Sequence, residues 1–305
     1  MFRKPITVEL VGGLGNQLFG YFAGLYISQN LGCDLVPYKR KPLKGESNHG
    51  SSLDSLLLPN TSVKSLTLAV RIKELARRAM HEALTSPVAR KLGAKDFSGF
   101  YSSGSLGADP KLNAIKEGSF VRGYFQTYKY FEYLEGRSSI RPVTLRRASS
   151  WFETMAHRIL QSQPLTMHIR RGDYLNPEND FIGALSPDFF IEALEDLRLK
   201  PGLAKREVWI FSDDVTGARE EFSGLDLGPH RWIETPRLSD PAESMILLGM
   251  GAGIVISNST FSWWAATLGG TEFVIAPAPW FRNHPEPLDL IHPNWSRHPS
   301  SWVGQ

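Results

Sequence analysis

Apolar residues fall along this chain in alternating short runs and helical stripes, and that alternation sets the fold class. Ile6 to Val11 is a β-rich run, followed by Gly12-Gly13-Leu14-Gly15-Asn16-Gln17 and a helical apolar pattern from Leu18 to about Leu31. Leu35-Val36-Pro37-Tyr38 reads as a second strand, after which Pro, Gly, Ser and Asn dominate to about Ser52. From Lys64 to Lys95 the pattern turns helical, with Leu68, Ile72, Leu75, Ala79 and Ala83 on one side. Further strands are expected at Ser119 to Tyr124 and Leu165 to Arg170, with a helix near Arg146 to Gln161 between them.

The second half alternates more regularly. A helix begins at Ser186-Pro187-Asp188, where serine can cap and proline suits the first turn. Val208 to Phe211 is a buried strand run ending in Ser212-Asp213-Asp214. Pro241 to Gly249 reads as a helix, Gly253 to Ile256 as a strand, Thr260 to Leu268 as a helix, and Phe273 to Ala276 as the last strand. Strands alternating with helices imply parallel sheets with right-handed crossovers. A chain of 305 residues exceeds one hydrophobic core, so two α/β domains are expected, over residues 1–146 and 147–305. Facing each other across a central cleft, they would bring the carboxyl ends of both sheets to the place where open α/β sheets bind ligands.

Composition changes this picture in three ways. With 42% hydrophobic and 21% charged residues the chain reads as an ordinary soluble globular protein, and a net charge of +3 argues against wholesale binding of nucleic acid. The single Cys33 excludes an internal disulfide framework and a cysteine zinc site, and fits a reducing compartment. No signal-peptide pattern opens the chain and no run reaches the ~18 apolar residues that span a bilayer, so a cytoplasmic protein is expected and the sequons at Asn60, Asn258 and Asn294 read as chance matches. Lys64 to Lys95 holds eight Lys/Arg against two Glu, a local charge of +6. Such a segment is either a solvated helix face or a peripheral contact with the anionic inner face of a membrane.

Polar clusters follow the ends of four strand runs. His168-Ile169-Arg170-Arg171-Gly172-Asp173-Tyr174 puts two guanidinium groups, an imidazole and a carboxylate where a doubly charged anion would be held, because arginine matches phosphate oxygens two at a time. An Arg-Asp pair pinning a turn is the plainer reading. Asn258-Ser259-Thr260-Phe261-Ser262 sets hydroxyls at a helix amino terminus, a second place for phosphate, although ordinary capping explains the same residues. Asp213 or Asp214 suits hydrogen bonding to a ribose or base edge better than a metal, since Asp-x-Asp occurs nowhere in the chain, and helix capping is the plainer reading of the pair. Gly12 to Gln17 falls short of the dinucleotide fingerprint, whose third glycine position is Leu18, and that sets an oxidoreductase aside.

The octapeptide Gly12 to Phe19, Gly123-Tyr124-Phe125-Gln126 with Tyr130-Phe131, His168 to Tyr174, Phe211 to Asp214 and Ser257 to Ala265 together resemble the α-1,2-fucosyltransferases, glycosyltransferase family 11, which use GDP-fucose. The resemblance implies a GT-B-like fold of two Rossmann-type α/β domains facing a central cleft. It also implies metal-independent, inverting transfer of L-fucose from GDP-β-L-fucose to the 2-hydroxyl of a galactoside, with no cofactor beyond the donor. The donor would be held mainly by the second domain and the acceptor glycan by the first. The family gives Arg170 to the pyrophosphate, with His168 and Asp173 arranging that arginine and the sugar, and Asn16 near the acceptor hydroxyl or fucose. Donor contacts are expected from Gly13, Gly15, Arg170, Arg171, Ser212, Asp213, Asp214, Asn258, Ser259, Thr260 and Ser262.

Asp173, beside two arginines, should be a feeble base. Glu178, in the loop Leu175 to Asp180, falls near where a related class of fucosyltransferases carries its base, and that likeness makes it a candidate. Lys39 to Ser52 and the basic helix match no motif of the family, and acceptor recognition is assigned to that half. The competing readings are a nucleotide-sugar-binding protein without transferase activity and a fucosyltransferase of other regiochemistry.

Overall fold

The computed structural model describes residues 3–39, 53–58, 68–84, 86, 99–136 and 143–304. Residues 40–52 of the expected loop, 64–67, 85 and 87–95 of the basic segment, and the sequon at Asn60 lie outside them. Through its first half the chain forms β1 (Ile6–Leu10), α1 (Leu14–Leu31), β2 (Leu35–Lys39), β3 (Leu56–Leu57), α2 (Leu68–Leu84), β4 (Phe100–Ser102), β5 (Phe120–Arg122) and α3 (Lys129–Glu135). The second half forms β6 (Thr144–Leu145), α4 (Ser150–Ser162), β7 (Leu165–Ile169), α5 (Pro187–Arg198), β8 (Val208–Ser212) and α6 (Val215–Glu221), then β9 (His230–Trp232), α7 (Pro241–Gly249), β10 (Gly253–Val255), α8 (Thr260–Gly269), β11 (Val274–Ala278) and β12 (Ser296–Pro299). Two compact units result: Met1–Asp54 with Leu58–Arg141, and Ser55–Leu57 with Pro142–Gln305.

The first unit is built on a parallel sheet in the order β2-β1-β5-β4. Central β1 buries Ile6, Val8 and Leu10, and α1 covers it with a surface that is apolar almost all round. Gly24 makes this approach possible, since a Cβ there would lie 2.7 Å from Val8 Cγ2 and 2.8 Å from Leu35 Cδ1. The helix starts at Leu14, four residues before its apolar pattern, because the Gln17 amide donates to Gly13 O (3.0 Å) and Gln17 Nε2 donates to Gly12 O (2.8 Å). Gly15, Asn16 and Gln17 therefore lie in a helical turn instead of a loop.

The second unit carries a six-stranded parallel sheet in the order β12-β11-β10-β7-β8-β9. Read from β9, this is the 3-2-1-4-5-6 order of doubly wound nucleotide-binding sheets. Helix α5 sets Phe189, Phe190, Ala193, Leu194 and Leu197 against Leu165, Met167 and Ile169 of β7 and Val208 and Ile210 of β8. Leu56 and Leu57 belong here too, since β3 pairs antiparallel with β6, and Ser55 Oγ donates to Asp240 Oδ2 at the start of α7.

Phe273 to Ala276 is not the last strand: β12 follows it. Its sequence Ser-Arg-His-Pro lacks apolar alternation because β12 is an edge strand with alternate residues in solvent. Edge position also accounts for β4 and β9, which the hydrophobic pattern does not announce. On α2, Ile72 and Leu75 remain 59% and 66% exposed, so the stripe they share with Ala79 and Ala83 is uncovered among the described residues.

Helices α7 and α8 meet backbone to backbone. A Cβ on Gly249 would collide with the Ala265 carbonyl, and one on Gly269 with Gly249 itself. Gly269→Ala is expected to lower stability by about 1–3 kcal/mol, the usual cost of overpacking. Urea unfolding with a lowered midpoint and an unchanged slope would show it.

Candidate active site

The winding of the second sheet reverses between β7 and β10, and the loops leaving those two strands part at the carboxyl edge, where such sheets bind ligands. His168, the penultimate residue of β7, is fully buried, with Nδ1 2.8 Å from Ser257 Oγ and its ring tilted against Phe261 of α8. Burial, then the neighbouring Arg170 cation, pushes its pKa down to about 3. At neutral pH this imidazole is uncharged and serves to locate the β10 loop.

The strand ends at Ile169, and the two arginines that follow separate. Arg170 pairs with Asp173 through Nη2 and with Asp213 through Nη1 (3.0 Å), and its guanidinium lies 5.3 Å from the centre of the Tyr174 ring. Burial alone would lower its pKa, but Asp213, Tyr174 and Asp173 outweigh that and raise it, so the group stays a cation. Its Nε is buried without a hydrogen-bond partner among the described residues. Arg171 turns to α6 and pairs with Glu221 and, at 3.4 Å, with Asp214.

Asp213 ties this arrangement together. One oxygen accepts from the Arg171 backbone amide (2.9 Å) and the other pairs with Arg170, bridging the loops after β7 and β8. Gly172 leaves room for it, since a Cβ there would collide with Asp213 Oδ2. Asp214 caps α6 by accepting from the Gly217 amide (3.0 Å), and Ser212 Oγ accepts from the Asp214 amide (3.1 Å). Both aspartates thus face arginines or backbone amides in this structure.

Across the reversal point, Tyr174 Oη donates to Asn258 O (3.3 Å) and joins the β7 and β10 loops. Asn258 Nδ2 donates to the carbonyls of Ile182 and Gly183, so its side chain secures a neighbouring loop. Ser259 caps α8 by accepting from the Phe261 amide (3.3 Å). Ser262 is fully buried, its hydroxyl bonded to Ser257 and Ser259, whereas Thr260 in the first turn is half-buried. Glu178 sits exposed in a turn that Asn179 fastens to Asp173 O (2.8 Å).

Gly13, Gly15 and Asn16 belong to the first unit, where Gln126 Nε2 donates to Asn16 Oδ1 (3.0 Å). The sequence thus named most of the second-unit cluster but not Ser257 or Glu221, and in the first unit it did not single out Gln126. Ser257 and Gln126 stood inside quoted motifs without a role, and Glu221 lay on a helix that no motif marked.

Residues 116–296 match the model of glycosyl transferase family 11. Over 314 residues, 98% of each chain, the protein is 29% identical to an Escherichia coli protein named alpha-1,2-colitosyltransferase. Over 121 residues, 38% of each chain, it is 33% identical to the Escherichia coli O-antigen biosynthesis glycosyltransferase WbnK. A solved structure of an Arabidopsis thaliana FUT1 mutant in complex with GDP is similar at a TM-score of 0.50 and 10% identity, over 90% of this chain and 70% of that one. The fucosyltransferase NodZ from Bradyrhizobium gives a TM-score of 0.48 at 14% identity, over 88% and 94%. The fold is GT-B-like, with two Rossmann-type units each on a parallel sheet.

The depressed pKa of His168 sets a pH dependence of stability. Between about 3 and the ordinary value of 6.5 the unfolded chain binds more protons than the folded one. The stabilisation is therefore complete above pH 6.5 and is lost as pH falls toward 3. His168→Gln should flatten stability against pH across that window by up to about 1.4 kcal/mol per pH unit, measured by urea unfolding at stepped pH.

Proposed function

Because the chain belongs to glycosyl transferase family 11, we propose that it transfers L-fucose from GDP-β-L-fucose to the 2-hydroxyl of a galactoside, with inversion and without an essential metal. Family membership makes it a glycosyltransferase; the donor, acceptor and linkage are the proposal. The observation that carries it is Arg170, a part-buried guanidinium whose buried Nε lacks a partner among the described residues, at the reversal point of a nucleotide-type sheet. As GDP departs, negative charge grows on its β-phosphate oxygens, and a preorganised cation beside a helix amino terminus stabilises that charge.

Arg170 and Arg171 face four carboxylates, from Asp173, Asp213, Asp214 and Glu221. An entering pyrophosphate must take an edge of Arg170 from one of them. Asp173, with 42% of its side chain exposed, is placed to yield, whereas Asp213 at 25% also holds the Arg171 amide. In this reading Asp213 positions Arg170, the half-exposed Asp214 and Ser212 remain for guanosine, and Arg171 anchors the loop to α6. Of the hydroxyls expected at the phosphates, Thr260 and the cap Ser259 keep that assignment, while Ser262 supports the turn from beneath.

The acceptor oxygen attacks C1 from the face opposite GDP, turning a β-linked donor into an α-linked product. An oxocarbenium-like transition state asks little of the nucleophile, so a base contributes modestly. His168, uncharged and bonded to Ser257, acts by position. Glu178 is the remaining carboxylate candidate. The relative named alpha-1,2-colitosyltransferase makes activated colitose a second donor to test.

Membrane attachment through α2 is also proposed. Its exposed Ile72 and Leu75 lie within a segment whose eight Lys/Arg exceed two Glu, a composition suited to an anionic bilayer surface. No described helix is long and apolar enough to cross a membrane.

Calorimetric titration in chelator should show binding of GDP and GDP-fucose but not NAD, with GDP released on addition of a galactoside. Arg170→Ala should lower kcat by about 10²–10³-fold, while Glu178→Gln keeping near-normal turnover would end its candidacy as base. Binding of GDP without transfer to any glycan would leave a nucleotide-sugar-binding protein, and binding of NAD alone would overturn the reading. Co-sedimentation with phosphatidylglycerol vesicles should occur at low salt and weaken in high salt or in Leu75→Asp. Equal sedimentation with neutral vesicles would refute the surface assignment.

A further inference from the structure

In the first unit, the chain passes from β1 to β2 on one side, while β5 and β4 lie on the other. The winding therefore reverses between β1 and β5, and the segments leaving those strands meet at the carboxyl edge. Gly12 to Gln17 leaves β1 and Gly123 to Gln126 leaves β5. A side-chain link across 110 residues joins them: Gln126 Nε2 donates to Asn16 Oδ1 at 3.0 Å.

Gln126 is held there against local backbone preference. The preceding Phe125 is fully buried at φ +52, a region that side-chain-bearing residues seldom occupy. Gly123 is hemmed in as well, since a Cβ would lie 2.6 Å from Phe125 Cζ and 2.9 Å from Ser103 Cβ. The Gln126 amide donates to Leu106 O, fixing the backbone just past the strained residue. Gln126 itself is only 7% exposed, yet its Oε1 is buried without a hydrogen-bond partner among the described residues. A buried carbonyl left in that state is expensive unless a ligand supplies the missing donor.

We propose that Gln126 is a sugar-binding residue of the first unit: its Oε1 accepts from a hydroxyl of the bound sugar, and its Nε2 holds Asn16 so that Asn16 Nδ2 donates to the same sugar. A hydroxyl both donates and accepts, and the two side chains offer the matching pair. Accepting at Oδ1 orients the Asn16 amide with its N–H groups free, which a lone half-buried asparagine would not maintain. The inference deepens the proposed transferase function and rests on it for the source of the hydroxyl, whether acceptor glycan or transferred sugar.

Two variants test it. Gln126→Met keeps the length and loses both polar atoms; Gln126→Glu keeps the oxygen and lets Asn16 Nδ2 turn inward. Each is expected to raise a sugar KM roughly tenfold, the worth of one neutral hydrogen bond, while binding of GDP alone and the melting curve stay near wild type. A rise confined to the acceptor KM assigns the hydroxyl to the acceptor, and a rise in the donor-sugar KM assigns it to the donor. Saturation-transfer NMR with free galactosides and fucose reads the same site without turnover, and signals that either variant abolishes would support it. Wild-type turnover with unchanged KM values and sugar signals in both folded variants would overturn the role of Gln126 and leave the transferase reading standing. A wild type that neither binds sugars nor turns over GDP-fucose would overturn both. If Gln126→Met fails to fold, the Gln126→Glu measurements decide.

Discussion

Parallel strands cannot be joined by tight turns, so each connection returns across a face of the sheet, usually as a helix, and all carboxyl ends gather on one edge. Once the direction of winding reverses, two neighbouring connections leave that edge in opposite directions and open a gap. Both units obey this constraint, between β1 and β5 and between β7 and β10. The Arg170 cluster and the Asn16–Gln126 pair sit at those two gaps. Charged and amide side chains, which a strand interior would not tolerate, are accommodated there because the backbone has just left the sheet.

The two gaps differ in chemistry. Around β7 the side chains are ionic: a desolvated guanidinium demands carboxylates, and Asp213 answers from the next strand while Gly172 gives it room. Imidazole and phenol remain uncharged beside this cluster, His168 through a pKa near 3 and Tyr174 through one pushed up to about 12, both chiefly by burial. Around β1 the pair Asn16 and Gln126 is neutral, linked by a single amide-to-amide hydrogen bond. An ionic gap suits a charged ligand and a neutral one suits hydroxyls.

Most interior elements were legible because buried parallel strands are continuous apolar runs and their covering helices are long. Of the strands that escaped notice, β4, β9 and β12 are edges, where the run dissolves into polar sequence, and β3 and β6 are only two residues long. His168 to Tyr174 could be read as an anion site from residue type alone. What could not be read was partnership. That Asp213 serves Arg170, that Arg171 turns to Glu221, and that Gln126 meets Asn16 all depend on which strands lie side by side, and strand order leaves no periodic trace in sequence.

The short ribbon of β3 and β6 bears on how such enzymes can be recombined. Ser55–Leu57 comes from the first half of the sequence yet belongs to the second unit, where Leu56 is buried. The chain therefore enters the second unit, leaves it and enters it again. A chimera that joins one enzyme's amino-terminal half to another's carboxyl-terminal half at a single seam would hand the second unit a foreign strand. Exchanging halves between relatives would need a graft that carries residues 55–57 with the carboxyl-terminal partner.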